Sequence, residues 1–117
     1  MSLAVRNLTR NTLLANRAER AASFYSRFVG LMGRRELPFG DALWIDPCNS
    51  IHTFFMRIPI DVLLLDRDLR VVKAFHALVP WRMTLIYRKA RTVLELPAGT
   101  LAASQTAEGD QLDFQAA

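Results

Sequence analysis

The chain is short of the residues on which several kinds of chemistry depend. It has a single cysteine, Cys48, among 117 residues. No internal disulfide can form, which argues for a reducing, cytoplasmic setting over a bridge-stapled secreted scaffold. There are two histidines, His52 and His76, far apart in sequence. That leaves no zinc-type ligand spacing, and neither a bound metal nor a cofactor is expected. No glycine-rich phosphate loop is present, Ser50 and Ser104 lack a nucleophile elbow, and no catalytic-cysteine motif surrounds Cys48. Long apolar runs are missing too. Ile58 to Leu65 is interrupted by Asp61, and nothing approaches the roughly 18 residues of a membrane span. The start, "MSLAVRNLTR", lacks the order of a secretory leader.

What remains is the composition of a globular chain. Hydrophobic residues at 51% and charged residues at 22% exclude a disordered polyampholyte, and this length suits one domain over residues 1–117 with a core of its own. The net charge of +4 is uneven, because residues 1–40 alone carry +5. A basic third invites polyanions. No RNA- or DNA-binding signature accompanies it, so nucleic acid is not the expected partner.

Periodicity supplies the elements. Phe24, Phe28, Leu31 and Met32 fall on one helical face, which predicts a helix over about residues 21–32. Strands are predicted either side of a turn at Thr9-Arg10-Asn11, then at 42–45, 50–56, 60–66, 70–78, 92–97 and 111–114. "AGTLAASQ" allows a second short helix over about 100–105, with Thr100 as its cap. Runs such as "VLLL" lack alternation and must be buried on both faces. The expectation is a mainly β fold: a compact antiparallel sandwich or small barrel with one helix and a short second one.

The polar residues set inside apolar strands are the candidates for chemistry. Alternation puts His52, Phe54 and Met56 on one strand face and Thr53 on the other. Cys48 and His52 would lie about 13 Å apart along a strand and could share an ion only if Pro47-Cys48-Asn49 curls back. A lone histidine in such a place is more often a bonded core residue than a ligand. Asp61 follows Pro59, which bends the chain and frees backbone N–H groups. The carboxylate is expected to accept from those, or from Thr53, with His52 adding a second bond. Glu95 repeats the pattern inside "VLEL". Two functional readings follow. The favoured one is a small non-catalytic binding or accessory module, with Thr53, Met56, Arg57 and Arg82 as binding candidates. The alternative is a small enzyme using His52, Asp61 and Glu95 in a cleft, with Arg82 orienting an anionic substrate.

Four segments in order, "GLMGR" (30–34), "CNSIHTFFMRIPIDVLLLD" (48–66), "VLELPAG" (93–99) and "EGD" (108–110), resemble the domain-of-unknown-function 192 family of bacteria and archaea. The resemblance covers roughly residues 10–115. Its motif positions fall here on Gly30, Leu31, Met32, His52, Thr53, Met56, Asp61, Leu94, Glu95, Gly99, Gly109 and Asp110. It implies a β-sandwich-like domain with a small helical part and a protein partner linked to pilus or secretion systems. It implies no activity, because the family has none to carry over. Two departures stand out. Relatives carry a longer Trp-Met-Lys-Asn-Thr type segment where this chain has "FFMRIP", so a role tied to that Asn-Thr pair does not transfer. Their hairpin turn usually contains glycine where this chain has Leu69, which predicts a different turn type here.

Overall fold

The computed structural model describes residues 2–21, 37–53 and 56–116. Seven strands form one sheet: β1 (Ser2–Asn7), β2 (Thr12–Ala21), β3 (Gly40–Ile45), β4 (Ile60–Leu65), β5 (Val71–Leu78), β6 (Thr92–Pro97) and β7 (Leu112–Ala116). Their order is β5-β4-β6-β3-β2-β1-β7, antiparallel throughout except for the parallel β2–β3 pair. One short helix, α1 (Thr100–Ser104), follows β6. The mainly β expectation holds, in its barrel-like form.

The sheet curls into a half-barrel, and its two edges touch only where β5 and β7 begin. Val71 N–H donates to the Asp110 carbonyl at 2.9 Å and Leu112 N–H to that of Leu69 at 3.0 Å. Trp44 and Phe114, on strands separated by β2 and β1, bring their ring centroids to 4.3 Å across the interior. Val5, Ala18, Ala42, Leu63, Leu65, Leu94, Leu96 and Leu112 fill that interior, together with Leu101 of α1. On the outer face Ile45, Val62, Leu64 and Val93 pack under Ile51, Met56 and Ala90 from the loops. All six residues of β4 and all six of β6 are therefore buried, which is why "VLLL" and "VLEL" show no alternation.

Several expectations change in detail. Of the strand expected over 50–56, residues 50–53 and 56 are not in a strand and 54–55 lie outside the described residues; the one ladder contact of 50–53 is the isolated bridge His52–Met83. The chain here follows a curved path beside residues 81–91 rather than entering the sheet. Thr100 is the first helical residue, not the cap. Gly99, at φ 95°, is the N-cap and supplies no side-chain bond. Leu69 does adopt positive φ, at 65°. The Asp66 carboxylate accepts from Asp68 and Arg70 N–H groups at 2.9 Å each, stabilising a tight hairpin that ends in a left-handed residue. The helix over residues 21–32 lies outside the described residues, apart from Ala21, which ends β2.

Asp61 fixes the end of the barrel. The pairings Ile60–Leu78 and Val62–Phe75 leave His76 and Ala77 opposite the single Asp61, a bulge with Ala77 at φ 48°. A bulge takes an N–H off the ladder, and Asp61 Oδ1 accepts that of Ala77 at 2.7 Å. Its Oδ2 accepts Gly99 N–H at 3.1 Å and Leu101 N–H at 2.9 Å, where α1 begins. The carboxylate is a structural acceptor of backbone donors, as expected, but the donors come from β5 and α1 rather than from the Pro59 bend or Thr53.

A second buried carboxylate, Asp110, secures the closure. Its Oδ2 accepts from Asn7 Nδ2 at 2.9 Å, Ala107 N–H at 3.0 Å and Arg10 Nε at 3.1 Å. Burial opposes its ionisation. The bonds from Asn7, Ala107 and Arg10, with the charge of Arg10, outweigh that and hold the carboxyl below its ordinary value.

Two outcomes follow. Asp61→Ala strands three backbone donors, at about 1–3 kcal/mol for each that stays buried. Asp61→Asn keeps one acceptor and should lose less. Urea denaturation reads both, and an alanine loss under about 1 kcal/mol would contradict the assignment. For Asp110, a lowered folded-state pKa means stability that is present above the unfolded value of about 3.9 and disappears as pH falls through the lower folded one. The stability gap between wild type and Asp110→Asn should be constant above about pH 5 and narrow in acid. A gap independent of pH would remove the ionised carboxylate from the account.

Candidate functional site

The loops leaving β3 and β5 run side by side at one end of the sheet. Their backbones form an irregular antiparallel seam. Cys48 N–H donates to the Arg91 carbonyl at 2.8 Å, Tyr87 N–H to Asn49 at 3.0 Å, Thr84 N–H to Ile51 at 2.9 Å and Thr53 N–H to Arg82 at 2.8 Å. The buried Thr53 hydroxyl reinforces it, donating to the Val79 carbonyl at 2.7 Å and accepting Arg82 N–H at 2.9 Å. Thr53 is thus a fastener of the seam, with its hydroxyl already engaged.

The seam encloses a pocket of about 200 Å³. Ile45, Pro47, Cys48, Ser50, Ile51, His52, Met83 and Thr84 line it. The aliphatic, thioether and thiol groups dominate. Polar atoms come from His52, Ser50 and Thr84, and the Cys48 thiol donates to the Ser50 carbonyl at 2.8 Å. Met83 faces His52 through their bridge. Among the described residues, no group of three His, Cys, Asp or Glu side chains is placed to hold a metal ion.

The residues singled out in the sequence do not converge. His52 lines this pocket. Asp61 is enclosed in the barrel interior, committed to Ala77, Gly99 and Leu101. Glu95 is fully buried and registers with Val62 and Leu43, while Asp61 registers with Leu96. Strand alternation therefore puts the two carboxylates on opposite faces of the sheet. Met56 is packed into the outer core. Arg57 and Arg82 are exposed, and the Arg82 guanidinium reaches the Trp81 carbonyl at 3.4 Å.

Sequence reasoning missed Met83, Thr84, Ile45 and Ser50 as site residues and discounted Cys48. The pocket arises from a seam between segments some thirty positions apart, paired through backbone atoms without side-chain periodicity. The one available signal was composition: "WRMTLI" is apolar yet irregular, which a buried strand would not be.

Comparison with known proteins agrees with this fold. The sequence model of the DUF192 family, described as "Uncharacterized ACR", matches residues 5–114. The chain is 32% identical over 113 residues to the UPF0127 protein of Pyrococcus furiosus, covering 92% of this chain and 95% of that protein. It is 35% identical over 99 residues to the UPF0127 protein of Pyrococcus horikoshii, covering 80% and 84%. A solved protein of unknown function from Novosphingobium aromaticivorans shares the fold, with a TM-score of 0.78 at 24% identity over 95% of this chain and 82% of that one. None of these names states an activity. With the match running over nearly the whole chain and its relatives aligned along most of their own length, the protein belongs to the DUF192 (UPF0127) family.

Proposed function

We propose that the protein is a non-catalytic binding module that receives one apolar, side-chain-sized group in the pocket between residues 45–52 and 83–84. The lining carries this reading: apolar and sulfur groups with a few polar atoms, and no carboxylate among the described residues. The volume of about 200 Å³ lies below the roughly 300–1,000 Å³ of drug-sized ligand sites, so the fit is to a single Leu-, Met- or Tyr-like group. The separation of Asp61 from Glu95 by the thickness of the sheet supports it further. An acid–base pair must lie within hydrogen-bond reach of one reacting group. Among the described residues no helix is long and apolar enough to cross a membrane, and the single Cys48 supports a cytoplasmic location. No observed feature selects a pilus or secretion protein as the partner.

Side-chain analogues test the reading. Isopentanol and p-cresol, titrated to millimolar concentration, should shift amide resonances of Ile45–His52 and Met83–Thr84 and slow alkylation of Cys48 by iodoacetamide. Ser50→Phe, which fills the pocket, should abolish both effects while leaving the melting temperature within a few degrees. Shifts centred elsewhere, or alkylation unchanged at saturating probe, would reject the pocket as the binding site.

A further inference from the structure

The exposed apolar surface is concentrated in one place. Eight large apolar side chains among the described residues are exposed, and five of them, Val79, Trp81, Met83, Leu85 and Ile86, lie in the stretch 79–86. Scattered exposed apolar residues are ordinary, whereas a contiguous group marks an interaction site. Leu85, Ile86 and Met83 are 78%, 69% and 68% exposed. Leu85 and Ile86 are consecutive and both open to solvent, so the segment projects as a finger instead of presenting one face of an element. Its base is pinned. Thr84 N–H donates to the Ile51 carbonyl at 2.9 Å and Tyr87 N–H to that of Asn49 at 3.0 Å. Ile51 N–H returns a bond to the Thr84 hydroxyl at 3.0 Å.

The chain on either side of the finger carries charge of one sign. Between residues 69 and 94 the chain has six basic residues and no acidic one. Arg82, Arg88 and Lys89 flank the tip and are exposed. The ion pairs among the described residues are Arg10–Asp110, Arg17–Asp41, Arg20–Asp46 and Lys73–Glu108, so none of these three cations has a carboxylate partner among the described residues. Asp46 and Asp66 share a different hollow with Arg67 and Arg91.

We propose that residues 79–89 are a peripheral docking site for an anionic lipid surface. Met83, Leu85 and Ile86 enter the boundary between headgroups and acyl chains. Trp81 sits at headgroup level, and Arg82, Arg88 and Lys89 meet lipid phosphates. An apolar tip with an aromatic residue and cations behind it is the distribution that an interface between water and lipid selects. Apolar side chains bracketed by cations, with no acidic residue between positions 69 and 94, complement an anionic headgroup layer. Insertion stays shallow, because the backbone of an irregular finger must keep water within reach. The inference shares Met83 with the pocket but stands on separate observations, so either can fail without the other.

Vesicle flotation of the full chain tests it. Phosphatidylcholine vesicles containing phosphatidylglycerol should carry the protein at least about tenfold more strongly than phosphatidylcholine alone. Raising salt from about 0.1 to 1 M should remove most of the difference, since screening shortens the reach of the cations. The double variants Leu85→Ser/Ile86→Ser and Arg88→Glu/Lys89→Glu alter exposed side chains, should keep the wild-type melting temperature, and should each lower partitioning about tenfold. With Trp44→Phe making Trp81 the sole tryptophan, its emission should shift to the blue on the anionic vesicles. No flotation with either vesicle would overturn the proposal, as would flotation unchanged by both double variants. Self-association abolished by Leu85→Ser/Ile86→Ser, without vesicle binding, would overturn it in favour of a contact between copies.

Discussion

The Asp61 carboxylate, accepting three backbone N–H groups, joins parts of the fold that are remote in sequence. Oδ1 holds the bulge at Ala77 near the end of β5, and Oδ2 holds Gly99 and Leu101 where α1 begins. Burying a carboxylate costs several kcal/mol unless its lone pairs are occupied. Here the donors are ones that a bulge and a helix start must leave outside any ladder. Each defect answers the other. Leu101 can then enter the barrel interior, and β5 can bend away beyond the bulge toward the loops.

The position of the loop layer follows from that frame. All residues of β4 and β6 are buried, so neither strand presents a side chain to solvent. Pocket and finger arise where the chain leaves the sheet, along the seam of residues 48–53 with 81–91. Thr53 closes one end of that seam with its hydroxyl, Thr84 fastens its middle with both its N–H and its hydroxyl, and Cys48 N–H closes the other end on the Arg91 carbonyl. The same bonds that shape the pocket on one side hold Leu85 and Ile86 outward on the other. Rigid presentation of an apolar finger limits the conformational entropy lost on docking.

Much of the barrel could be read from composition and period. β6 coincides with the 92–97 strand, and β4 and β5 form the hairpin that "IDVLLLD" and "RVVKAFHAL" predict. Those segments are legible because burial on both faces leaves only apolar choices. Asp61 was legible as an anchor because an isolated carboxylate in an apolar strand demands donors. Which donors was not legible, since Ala77 and Gly99 reveal nothing of their conformations until the bulge and the helix start are placed. The strand reading of residues 50–53 misled because Ile51, like Met56 beyond it, packs onto the outer core and is not paired in the sheet. The pocket lay beyond reach for a related reason: backbone seams between irregular segments leave no side-chain period.

Native-state hydrogen exchange of the Ala77, Gly99 and Leu101 amides tests the central claim most directly. If Asp61 unites the bulge with the helix start, all three are protected to near the level of the β4 and β6 core amides, and all three lose protection together in Asp61→Ala. Exchange at exposed-loop rates in the wild type would contradict the account. So would protection at Gly99 and Leu101 that survives the substitution while Ala77 alone is released.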